Sequence, residues 1–102
     1  MAYNVFKPSY QSGLVINATT TASEHTVNVQ NKHNAVITNL GDNFAYIVFY
    51  KNSNGAVVAN DTCFIIPPKA QISLDIADND DRVSVLAVDA ATDLHVIFGD
   101  GA

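Results

Sequence analysis

The feature that most constrains this chain is its surplus of β-branched residues. Val and Ile together number 20, while Leu numbers 5. Branching at Cβ costs rotamer freedom in a helix and packs well on a pleated surface, so the ratio points to strands. The hydropathy pattern agrees. Apolar and polar residues alternate with period two in Thr26-Val27-Asn28-Val29-Gln30, in Gln71-Ile72-Ser73-Leu74-Asp75-Ile76 and in Arg82-Val83-Ser84-Val85. Each of these predicts one buried and one wet face.

Turn chemistry divides the chain at short intervals. Leu40-Gly41-Asp42-Asn43 separates strands predicted at 34–39 and 44–51. The Asn54-Gly55 pair favours a tight hairpin, since both residues tolerate positive φ. Pro67-Pro68 must end the apolar run before it, because neither proline can donate to a ladder. Further strands are expected near 14–18, 25–30, 56–59, 62–66, 70–77, 82–88 and 93–98, with helix limited to a turn around Ala90-Ala91. About eight short strands with turns between them predict an all-β, two-sheet antiparallel β-sandwich, of which the jelly roll is one form. At 102 residues there is room for one domain. It reads as an extended N-terminal arm over 1–13, followed by the sandwich over 14–102.

Two strands carry more apolar surface than one core face can use. Residues 44–50 have no polar side beyond tyrosine hydroxyls, and 83–88 are nearly as apolar. Their second faces must be covered by a loop, by the arm or by another subunit, or else left bare. In the arm, Tyr3, Phe6 and Tyr10 are spaced around Pro8. Aromatics bury large areas at low entropic cost where proteins meet. The candidate interface residues are therefore Tyr3, Phe6, Tyr10, Phe44, Tyr46 and Tyr50, with the arm expected to dock on a neighbouring chain.

Charge narrows the partners. The net charge is −5 with only five basic residues, none adjacent. Neither nucleic-acid phosphates nor an anionic membrane finds the clustered Lys and Arg it would need. No apolar run approaches the ~20 residues of a membrane helix. No leader-like apolar segment follows Met1, so synthesis in a reducing cytoplasm is expected, and the lone Cys63 has no intrachain partner.

Reactive constellations are not expected either. Cys63 lies in an apolar run, where a thiol resists ionisation, and no sequence motif joins it to His25, His33 or His95. Those histidines lack zinc-ligand spacing. Asp78-Asn79-Asp80-Asp81 is rich in oxygen but is followed by Arg82 and Val83 instead of the remainder of a calcium loop. No phosphate-cradling glycine loop precedes a helix. The expectation is a non-enzymatic protein without metal or cofactor.

Three segments carry a resemblance. Val36-Ile37-Thr38-Asn39-Leu40-Gly41 followed by Phe44-Ala45-Tyr46-Ile47-Val48-Phe49 is the first. Ile65-Ile66-Pro67-Pro68-Lys69 before Ile72-Ser73-Leu74 is the second. The third is 83–88 with the closing Leu94-His95-Val96-Ile97-Phe98-Gly99-Asp100-Gly101. Together they resemble small virion structural proteins of tailed bacteriophages, most of all capsid decoration (cement) proteins. The resemblance implies a virion location on the capsid surface, the major capsid protein as partner, and a homo-oligomer, with a trimer expected. It carries over no functional residue. Other readings are a different virion accessory protein (head fibre or tail component) and a small carbohydrate-binding module using Tyr10, Tyr46 or Tyr50.

Overall fold

The computed structural model describes residues 6–29, 32–77 and 80–100. Its strands are β1 (Lys7–Pro8), β2 (Leu14–Ala18), β3 (Ser23–Thr26), β4 (Asn34–Asn39), β5 (Ala45–Tyr50), β6 (Phe64–Ile66), β7 (Gln71–Asp75), β8 (Arg82–Ala87) and β9 (Thr92–Asp100). They form two antiparallel sheets. The first runs β2-β9-β4-β7, with β1 continuing beside the far end of β9; the second runs β3-β8-β5-β6. From β2 onward, every connection except β5–β6 crosses between sheets, which is the winding of a jelly roll. The radius of gyration, 13.0 Å, is what a single compact chain of this length should have.

Alternation decides which side chains enter the core. Ile16, Ala35, Ile37, Leu94, Val96 and Phe98 point inward from the first sheet, and Ala45, Ile47, Ile66, Val83, Val85 and Ala87 from the second. Phe98 meets Phe49 edge to face at 6.0 Å between ring centroids, joining the layers. Val27 and Val29 are buried as the period-two pattern predicts, although β3 ends at Thr26 and not near 30. Just beyond it, the Val27 N–H donates to the Asp81 carbonyl at 3.0 Å, one more bond in the β3–β8 register.

Two further expectations are corrected. Asn54-Gly55 does not close a hairpin, and 56–59 is not a strand. Asn52–Asn54 form a 3-10 turn, Gly55 takes φ +100°, and the chain runs irregularly to residue 63. The reason lies in β6: its three residues face only Ala45, Tyr46 and Ile47, so the second half of β5 has no partner on that side among the described residues. Part of the expected arm folds back on its own domain. Lys7 and Pro8 pair with Asp100 and Gly99, and Ser9 N–H donates to the Phe98 carbonyl at 2.7 Å.

Candidate functional site

The outer face of the second sheet has an open half and a closed half. Directly opposed residues share a face, so the β5 pairings place Ile65, Tyr46 and Leu86 in one row pointing away from the core. Phe44 extends this row at the start of β5 and is 45% exposed; Ile65 is 40% exposed. Tyr46 and Leu86 are half-buried. In the neighbouring row Ser84 is buried and Val48 half-buried, while Glu24, on the edge strand β3, is exposed. Residues 55–63 pass over this row, with Ala59 buried and its N–H donating to Ser84 Oγ at 2.9 Å. The chain thus covers half of its surplus apolar face with its own loop.

Tyr50 belongs to the closed half. It is 6% exposed, and its hydroxyl donates to the Glu24 carboxylate. Arg82 Nε lies 3.7 Å from the same carboxylate. Burial, reinforced by the hydrogen bond to anionic Glu24, pushes the Tyr50 phenol up to about 12.

The six expected interface residues do not form one surface. Phe44 and Tyr46 share the open row. Tyr50 is sealed beneath the fold's own groups. Phe6 is half-buried, its ring lying over Gly99 so closely that a Cβ there would approach Phe6 Cζ to 2.7 Å. Tyr10, at the turn between β1 and β2, is 81% exposed and remote in sequence register from the row. Tyr3 lies outside the described residues. The three tyrosines considered as sugar stackers are therefore separated into buried, half-buried and exposed settings.

Sequence reasoning passed over Ile65, Phe64 and Leu86. Phe64 and Ile65, each 40% exposed, were hidden inside a run that reads as buried, because edge position is a property of the sheet and not of the run. Cys63 is likewise only partly buried.

A second feature is a polar cleft of about 240 Å³ at the end of the sandwich, lined by Asn17, Gly41, Asp42, Asn43, Thr92 and Asp93 among others. Its floor is tied by Asn39, which is fully buried. The Asn39 amide donates to the Asn43 and Ile66 carbonyls at 2.8 and 3.3 Å, and its oxygen accepts from Gly41 N–H and Thr92 Oγ1 at 3.1 and 2.7 Å. Gly41 lies so close that an added Cβ would collide with Thr92. Asn17 donates to Asp93 at 2.8 Å, and Asp42 pairs with Lys69 at 3.5 Å, so the wall groups are already engaged.

Among the described residues, no three His, Cys, Asp or Glu side chains gather as metal ligands. His25 contacts Ser23 Oγ at 3.0 Å, and His33 lies 3.3 Å from Asp100. His95 is half-buried on the outer face of the first sheet, opposite Val15 and Thr38. The Cys63 thiol contacts Asn60 at 4.0 Å.

No protein-family model matches the chain, and no curated protein matches it. Its likenesses are to solved structures. A crystal structure of PirA superposes with a TM-score of 0.62 over 90% of this chain and 97% of that one, at 12% identity. A subunit of the disulfide-linked pili of Bacillus endospore appendages gives 0.51 over 97% and 95%, at 18% identity. Identities this low speak to the sandwich fold alone.

Proposed function

We propose that this chain is a non-enzymatic structural module that works by burying the open half of its second sheet against another protein. We further propose that this protein is the shell-forming subunit of a phage head, which the chain decorates and cements. The observation that carries the reading is the uncovered row Ile65, Tyr46 and Leu86, extended by Phe44. Aromatic and branched side chains of this kind, depleted in charge, make the centre of protein interfaces. The low charge of the sequence and its likeness to decoration proteins favour a virion partner. Binding only to assembled shells would stabilise them by mass action, without any chemistry in the bound protein.

The test is co-sedimentation with phage heads assembled from whatever major capsid protein the same genome encodes. The wild type should pellet with the heads and raise their melting temperature. A Tyr46→Lys, Ile65→Lys double variant, shown to be folded by its thermal melt, should stay in the supernatant. Wild-type protein that fails to pellet at saturating concentration, or a folded double variant that pellets as well as wild type, overturns the reading.

A further inference from the structure

We infer that the first sheet is built to add to itself, with β2 of one copy pairing beside β7 of the next. The direction of the backbone groups sets which edges can pair. Asn39 N–H donates to the Ala70 carbonyl and Ile76 N–H to the His33 carbonyl, both at 2.8 Å. In an antiparallel ladder the bonded positions alternate. Residues 70, 72, 74 and 76 therefore aim their backbone groups at β4, and Gln71, Ser73 and Asp75 aim theirs at the free edge. On the other side, Leu40 N–H donates to the Asp93 carbonyl at 2.8 Å. The same alternation turns residues 94 and 96 toward β2, so that Leu14, Ile16 and Ala18 face β9 and the N–H and C=O groups of Val15 and Asn17 face outward.

Exposed edges invite pairing unless something blunts them. The remaining edges of this sandwich are blunted. β1 contains Pro8, β3 presents Glu24, and β6 is three residues long and closed by Pro67-Pro68. β2 and β7 are not. Each has five residues without proline, lysine or bulge, and each pairs in unbroken register with its inner neighbour. The only charge in either is Asp75, at the end of β7, and it is engaged within its own sheet by the Asn34 amide at 2.7 Å. Val15, on the outer face of β2, is 61% exposed.

The two edges also fit each other. Four antiparallel strands, β2-β9-β4-β7, leave β2 and β7 pointing in opposite directions. A copy displaced along the sheet therefore sets its β2 antiparallel to β7 of the first. Outer-face residues carry the outward backbone groups on both edges, so side-chain faces and hydrogen bonds fall into phase together. With Val15 opposite Ser73 and Asn17 opposite Gln71, Leu14 meets Leu74 and Ile16 meets Ile72. Leu14, Ile72 and Leu74 are the partly buried fringe of the core, and this register continues their rows from copy to copy. The contact uses two different surfaces of the chain, so it propagates into a ring or a filament and not into a closed two-fold dimer.

Edge-blocking prolines test this, because Val15 and Ser73 both point their N–H outward and a proline there removes no ladder bond. Sedimentation velocity over concentrations up to about 1 mM should show wild type forming species larger than a dimer. Val15→Pro and Ser73→Pro should each be folded by circular dichroism and each be monomeric, with Val15→Lys and Ser73→Lys standing in should either proline unfold the chain. An equimolar mixture of the two variants should recover a one-to-one complex and nothing larger, since one retains its β2 edge and the other its β7 edge. A monomeric wild type overturns the inference, as does a Ser73 variant that oligomerises normally or a mixture that stays monomeric. Both variants leave Tyr46 and Ile65 intact. A wild type that binds heads but never self-associates would therefore sink this inference alone, and the reverse would sink the proposed function alone.

Discussion

Replacing Asn39 with alanine should be among the most damaging single changes outside the apolar core. Asn39 stands on the inward face of β4, in the same cross-strand row as Leu94 and Ile16, at the point where the core meets the polar end of the sandwich. Its side chain holds four partners: the Asn43 and Ile66 carbonyls, Gly41 N–H and Thr92 Oγ1. Gly41 and Asn43 are partly exposed and can turn to water. The Ile66 carbonyl still faces Ala45 in the β5–β6 ladder, which leaves the buried Thr92 hydroxyl as the stranded group. A stranded buried group costs about 1–3 kcal/mol, and an ordinary hydrogen bond about 1 kcal/mol. One stranded group and two ordinary bonds put Asn39→Ala at about 4 kcal/mol, a large share of the 5–15 kcal/mol typical of a whole domain. For a chain of this size that is a fall in Tm of more than roughly 15 °C. Thr92→Val removes one donor while Asn39 keeps Gly41 N–H, so it should cost only about 1 kcal/mol. Calorimetry and urea titration of the three proteins would measure both differences. Equal costs for the two variants, or an Asn39→Ala protein within about 1 kcal/mol of wild type, would refute the idea that this side chain ties the end of the sandwich together.

Phe98→Ala should cost about 3–5 kcal/mol by urea titration, since the side chain is fully buried and supplies the edge-to-face contact with Phe49. Tyr50 gives an alkaline signature. Its folded pKa is raised from 10.0 to about 12, so its contribution to stability is whole below pH 10 and disappears as pH rises through 12. Wild type minus Tyr50→Phe should decline across that window in denaturation curves taken between pH 8 and 12. Asp100 gives an acid one. Hydrogen bonding from the His33 N–H, with the His33 ring and Lys32 nearby, lowers its pKa below 3.8. The lowered value is a stabilisation present above 3.8 and lost as pH falls through the folded pKa, so the difference between wild type and Asp100→Asn should shrink under acid titration.

Much of the architecture is legible in the order of residues, because it depends on local physics. Alternation of apolar with polar residues names the faces of β7 and of the start of β8 whatever they pack against, and Pro67-Pro68 ends β6 wherever β6 lies. The all-β sandwich follows from those signals. Failures come where the deciding partner is distant in sequence. Asn54-Gly55 suits a hairpin, but a hairpin needs a facing strand, and β6 is too short to supply one there. Tyr50 and Phe44 look equivalent in the run 44–50, yet one is sealed by Glu24 and the other faces solvent.

The sequence by itself determined that strands would form and that apolar surface would exceed what one core face could bury. Those are consequences of side-chain shape and of turns a few residues long. Only the tertiary structure decided which strands became edges, which half of the surplus face a loop would cover, and which polar residue would be drawn into the core. Each of these depends on strand order, and strand order is set by contacts between residues tens of positions apart, where period and propensity carry no information.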